Sequence, residues 1–164
     1  MEPLDDTKFS GTKEVAEHLT IEALKLQPWI DEFVPEAGKI NSIEQFKGGQ
    51  SNPTYKITTD TKSLVLRRKP PGKLLPSAHA VDREYKVITA LYETDVPVPK
   101  TYGLCEDDDV AGTAFFVMDF LDGDLFWDPM IPSVTNKDRT EIYQNKNKTL
   151  AKLHSVDYKK IGLE

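Results

Sequence analysis

The chain has 164 residues, 38% hydrophobic and 29% charged, which fits one soluble domain, or one complete lobe of a larger one, able to bury a modest core. A net charge of −6 excludes an overall basic field that would recruit nucleic acid or an anionic membrane, so any anion must be held by a local cluster. The single cysteine, Cys105, excludes an internal disulfide, the acidic N-terminus carries no secretory signal, and no apolar run approaches the roughly 20 residues that span a bilayer; a cytoplasmic location is expected.

Residues 1 to 10 are polar, and a helical stretch is predicted from about Thr12 to Val34, which Pro28 must interrupt or restart because proline lacks an N–H. Between Ile43 and Lys69 the pattern changes to short runs of period near two. Thr54 to Thr58 and Ser63 to Arg67, separated by "TDT", predict antiparallel strands. "PPGKLLP" forbids regular structure, after which Ser77 can cap a helix whose apolar positions Ala78, Val81, Tyr85, Ile88 and Tyr92 step by three and four. "VPVPKTYGLCED" and "GTAFFVMDFLDG" predict two more strands around an acidic turn, Glu106 to Asp109. Thr135 or Asn136 can open a last long helix that runs to His154.

Three stretches could carry chemistry. "FKGGQSNPTYKI", residues 46 to 57, is either a tight hairpin or a flap whose backbone amides close over a phosphate, and its residues alone leave both open. In "SLVLRRKPPGK" side-chain alternation sends Arg67 and Arg68 to opposite faces of a strand. A cation on the inner face needs a partner, and Glu84 on the following helix is a candidate; the plainer reading is a basic surface cluster. In "AFFVMDFLDGD" an apolar strand, Phe115 to Met118, runs into Asp119-Phe120-Leu121-Asp122-Gly123. Its end is either an ordinary Asp-Gly turn or a backbone edge able to pair with a flat heteroaromatic ring such as adenine. Asp119-Phe120 is not a metal-binding Asp-Phe-Gly triplet, because Leu121 follows.

Taken in order, these pieces have the layout of a kinase-like N-terminal lobe. The chain resembles the first half of the aminoglycoside phosphotransferase and choline kinase-like family, in particular the kinase-like domain that in animals is fused to acyl-CoA dehydrogenases. "FKGGQSNPTY", "LVLRRKPPGKLLPSAHAVDREY", "DVPVPKTYGLCED", "GTAFFVMDFLDG" and "LAKLHSVD" carry the resemblance, from roughly Ile21 to Glu164. It implies an α+β fold: a five-stranded antiparallel sheet with a C-helix equivalent, preceded by an N-terminal helix. The expected division is a helical extension (1–40), a nucleotide-binding lobe (41–123), and a linker with the first helical segment of a second lobe (124–164).

The resemblance also implies roles. Gly48, Gly49, Gln50, Ser51 and Asn52 would form a flap over the triphosphate of ATP. Arg67 would grip the α- and β-phosphates, and Glu84 would orient it through an ion pair. Met118 would stand at the back of the adenine pocket, with the Asp119 carbonyl and the Leu121 N–H pairing with the adenine edge. The implied activity is transfer of the γ-phosphoryl group to a small-molecule hydroxyl, with Mg2+ held mainly by the family's second half. That half carries a His-x-Asp catalytic loop with an Asn five residues after the Asp, and a further magnesium-binding Asp. Neither occurs in these 164 residues, so the chain alone is expected to be inactive and to self-associate through an uncovered face near Phe126 and Trp127.

Other candidates have plainer readings. His154 is expected at a helix end facing the core, Asp107, Asp108 and Asp109 in a solvated loop, and Cys105 as a buried strand thiol, while His18 and His79 lack partners at metal-ligand spacing. The acceptor stays open among aminoglycosides, choline-like alcohols, sugars and hydroxyacyl thioesters. The alternative to a kinase is a non-catalytic nucleotide-binding or assembly module of the same shape.

Overall fold

The computed structural model describes residues 10–48, 51–75 and 78–164. Six strands, β1 (Thr12–Lys13), β2 (Ile40–Phe46), β3 (Thr54–Thr59), β4 (Ser63–Arg68), β5 (Thr101–Cys105) and β6 (Phe115–Asp119), form one antiparallel sheet in the order β1-β2-β3-β4-β6-β5. Four helices accompany it: α1 (Ala23–Phe33), α2 (Val81–Tyr92), α3 (Asp108–Ala111) and α4 (Asn136–His154). The fold is kinase-like. No described helix is long and apolar enough to cross a membrane.

The expectation of five strands is corrected to six, and the extra one is β1. It lies where the sequence predicts helix. The Thr12 hydroxyl donates to Glu44 Oε1 at 2.8 Å and the Lys47 N–H to the Gly11 carbonyl at 3.1 Å, so this segment is claimed by the edge of β2. The helix starts only at Ala23 and runs through Pro28 without stopping. The carbonyl that Pro28 leaves without an N–H is that of Leu24, whose side chain is 90% exposed, and on the solvent side that loss costs least. Helix α2 begins at Val81, three residues later than Ala78, because His79 takes a left-handed φ of 58° that no helix continues through. The expected cap, Ser77, lies outside the described residues. Thr135 is the cap of α4 and accepts from the Asp138 N–H.

One face of the sheet holds the main core. Ile57, Leu64, Leu66, Phe115 and Val117 pack against Leu26, Trp29 and Ile30 of α1. Trp29 and Phe33 stack with ring centroids 4.4 Å apart, directly over Gly103, where a Cβ would come within 2.9 Å of Phe33. The other face carries Val65, Arg67, Phe116 and Met118, and α2 packs there through Tyr85, 6.1 Å from the Phe116 ring. Strand register sets two rows across that face: Thr54, Arg67 and Phe116, then Lys56, Val65 and Met118. Two residues of strand separate the rows, about 7 Å.

Helix α4 buries none of its residues. His154 is therefore exposed, not turned to a core as the sequence suggests, because no described element covers that helix.

Candidate functional site

The Arg67 row carries a chain of polar contacts. Arg67 Nε donates to Glu84 Oε2, Nη2 reaches Oε1 at 3.4 Å, and Nη1 donates to the Thr54 hydroxyl at 3.3 Å. The side chains of Arg67 and Glu84 are 30% and 35% exposed, so the pair is neither screened freely nor sealed. Glu84 Oε1 also accepts from Asn52 Nδ2 at 3.0 Å, and Asn52 Oδ1 lies 2.9 Å from His79 Nδ1. Asn52, Arg67, His79 and Glu84 line an open hollow of about 790 Å³ together with Ser51, Arg83 and Ile88. Of the residues read from the sequence as binding phosphate, the structure brings together Ser51, Asn52, Arg67 and Glu84. Gly48 is half-buried in the bend after β2, while Gly49 and Gln50 lie outside the described residues.

The Val65 row borders a second hollow, of about 870 Å³, walled by Phe46, Val65, Met118, Asp119, Phe120 and Leu121 and continuing to Phe126. The Phe46 and Phe120 rings stack at 6.3 Å, and Lys56 Nζ sits 4.5 Å over Phe120. The two hollows share no lining residue, yet they open on the same sheet face one row apart. Met118, Asp119 and Leu121 thus fall together, beside the Arg67 cluster.

The Asp119 side chain points to the other face, where sequence reasoning gave it no role. Its carboxylate accepts from the Tyr102 hydroxyl at 2.7 Å and pairs with Lys62 Nζ at 3.1 Å, and Lys62 also bonds Tyr102. Burial by itself would lower the Lys62 ammonium, but its bonds to Tyr102 and Asp119 hold it above the ordinary lysine range. Burial pushes the Tyr102 phenol up, so it stays a neutral donor. The Asp119 N–H is taken by the Lys100 carbonyl at 2.9 Å. Side chain and N–H are both tied, which fixes the backbone that walls the second hollow.

Of the two arginines, Arg68 is the buried one, 3% exposed on the α1 face. Backbone carbonyls hold it: Nη1 donates to Ala111 and Nη2 to Leu19 at 3.1 Å, while the guanidinium lies 5.4 Å from the Tyr55 ring. Its Nε has no hydrogen-bond partner among the described residues. Burial pulls its pKa below the usual arginine value, opposed by Tyr55. Glu84 is therefore the partner of the half-exposed Arg67, and the buried Arg68 pairs with no carboxylate among the described residues. The roles of Thr54, Lys62, His79 and Tyr102 were missed; only Thr54 had a sequence signal, its register opposite Arg67.

The remaining candidates fall away from the site. Asp107 caps α3 by accepting from the Asp109 N–H at 2.9 Å, and Asp107, Asp108 and Asp109 are exposed. Cys105 is buried, and burial raises its thiol. Among the described residues no three His, Cys, Asp or Glu side chains converge as metal ligands would.

The sequence profile of the "Phosphotransferase enzyme family" matches residues 42–164. The chain is 54% identical over 127 residues to "Probable acyl-CoA dehydrogenase IBR3" of Arabidopsis thaliana, covering 74% of the chain and 15% of that protein. It is 38% identical over 157 residues to "Acyl-CoA dehydrogenase family member 11" of Rattus norvegicus, covering 93% of the chain and 20% of the relative. It therefore spans a fifth or less of the length of these relatives. A solved structure from Ralstonia eutropha JMP134, provisionally named an aminoglycoside phosphotransferase, superposes with a TM-score of 0.74 at 43% identity, covering 88% of this chain and 41% of that one. On the profile match and the shared fold, the chain belongs to the phosphotransferase enzyme family.

Proposed function

We propose that this chain is the ATP-binding portion of a small-molecule kinase that transfers a phosphoryl group to a hydroxyl acceptor. The observation that carries the reading is the Arg67–Glu84 pair, held one strand row from the Met118–Leu121 wall on a single sheet face. A planar cation oriented from behind by a carboxylate suits two phosphate oxygens at once. An apolar slot with a fixed backbone wall suits a flat base.

ATP, when bound, supplies the γ-phosphoryl group. The chain's own residues then divide the work. Arg67 holds the α- and β-phosphates, and Glu84 keeps its guanidinium aimed. Gly48, Gly49, Gln50, Ser51 and Asn52 cover the phosphates. Met118 backs the base, whose edge pairs with the Asp119 carbonyl and the Leu121 N–H. Mg2+ would be held mainly by residues of the family's second half, since no three His, Cys, Asp or Glu side chains converge among the described residues. The 164 residues contain no His-x-Asp loop with its downstream Asn, and we expect this chain alone to bind nucleotide without turning it over. The relatives' names favour a hydroxyacyl thioester as acceptor over an antibiotic.

The test is thermal unfolding with Mg-ATP. A ligand that binds only the folded state adds about 2.7 kcal/mol at a hundredfold excess over Kd. Stabilisation is expected for the wild type and its loss for Arg67→Ala. No shift at millimolar ATP would favour a non-catalytic assembly module.

A further inference from the structure

Resting on that reading, we infer that His79 is a positioning residue for the triphosphate site, acting through Asn52 on the Glu84–Arg67 pair. Its ring state follows from the contacts. A carboxylate only accepts, so the Asn52 end facing Glu84 Oε1 at 3.0 Å must be its amide nitrogen. The end facing His79, 2.9 Å from Nδ1, is then the amide oxygen, and Nδ1 must carry the hydrogen. His79 is the donor that fills the acceptor end of an asparagine only 3% exposed.

Removing that donor has a defined consequence. Among the described residues Asn52 Oδ1 would be left buried without a partner, a state folded chains avoid, so the side chain would leave its place. Glu84 Oε1 would lose its 3.0 Å bond from Asn52 and keep only the longer contact from Arg67 Nη2 at 3.4 Å, so nothing but Arg67 itself would hold the carboxylate among the contacts described above. Asn52 also sits two residues before Thr54, the other ligand of Arg67, and its carbonyl accepts from the Thr54 hydroxyl at 3.0 Å. Asn52 thus borders both residues that orient the guanidinium, Glu84 through its side chain and Thr54 through its backbone carbonyl, and the imidazole holds that side chain.

His79 holds φ at 58°, in the left-handed region that Gly enters freely and that Asn and His enter more readily than most residues.

The left-handed backbone also supplies clean variants. His79→Gly removes the donor while easing the backbone; His79→Asn keeps an N–H donor and tolerates the same φ. In amide-resolved NMR of the 15N-labelled chain without nucleotide, the Asn52 side-chain resonances should move in His79→Gly and return toward wild type in His79→Asn. With Mg-ATP, His79→Gly should bind about tenfold more weakly, the scale of one lost hydrogen bond coupled to a charge, and His79→Asn close to wild type. Adenosine, which lacks phosphates, should bind all three alike. Unmoved Asn52 resonances, unchanged ATP affinity in His79→Gly, or equal loss for ATP and adenosine would each overturn the role of His79 while leaving wild-type ATP binding in place. Failure of the wild type itself to bind ATP overturns the nucleotide reading, and this role with it.

Discussion

At the residue scale, Arg67 and Arg68 show how one strand separates two identical side chains. Arg67 serves a half-open hollow, whereas Arg68 is wrapped by the Leu19 and Ala111 carbonyls and the Tyr55 ring. Truncating Arg68 leaves a cavity, and we expect Arg68→Ala to cost roughly 2–4 kcal/mol in chemical denaturation, with Arg68→Met losing much less because it fills the space without a buried charge. Alternation in "SLVLRR" predicted opposite faces but not which one is sealed. Leu64 and Leu66 are apolar on one face and Val65 on the other, so the pattern carries no phase that tells the two arginines apart. Lys62 gives a pH test. Its folded-state pKa is raised, so the stability it adds through Asp119 and Tyr102 is fully present below about 10.5 and falls as pH rises beyond it. The deficit of Lys62→Met against wild type, about 1 kcal/mol at neutral pH, should shrink in alkaline denaturation curves.

At the element scale, β3 and β4 were legible because short period-two runs between turn signals have few other readings, and β6 because its apolar run, Phe115 to Met118, is bounded by turn residues. The two-residue strand β1 was not, since two residues carry no period, and its place depends on Glu44 and Gln45 of a strand 32 positions further along the chain. The start of α2 was also displaced, because one left-handed residue overrides a continuous apolar stripe. The close approach of α1 to β5 gives the sharpest packing prediction. Gly103→Ala places a methyl 2.9 Å from Phe33 and 3.0 Å from Trp29, so the helix must shift. We expect a loss of about 1–3 kcal/mol, read by denaturant midpoint, with the near-ultraviolet signal of Trp29 altered.

At the scale of the whole molecule, the apolar surface is uneven. Leu121, Leu125, Phe126, Trp127 and Met130 are exposed in succession along the connector to α4, and α4 adds Leu150 and Leu153. A patch of this extent is rarely left in water. We expect the chain to associate at high concentration and a Leu125→Ser, Met130→Ser double variant to associate less, both measured by sedimentation velocity. The phosphate-side half of the site was readable from the glycine turn, the arginine and the carboxylate together; its supporting bonds were not, because Asn52, His79 and Glu84 meet only once α2 is laid on the sheet.

The connector contains one more contact, from Trp127 Nε1 to the Ser10 hydroxyl at 3.0 Å, and Ser10, Gly11 and Phe126 line the base-side hollow. The chain has two tryptophans. Trp29 is sealed against Phe33, while Trp127 is 40% exposed at the hollow's rim. The molecule therefore carries its own optical reporter. Acrylamide should quench only the rim indole, and a ligand filling the slot should shield it without any dye being attached.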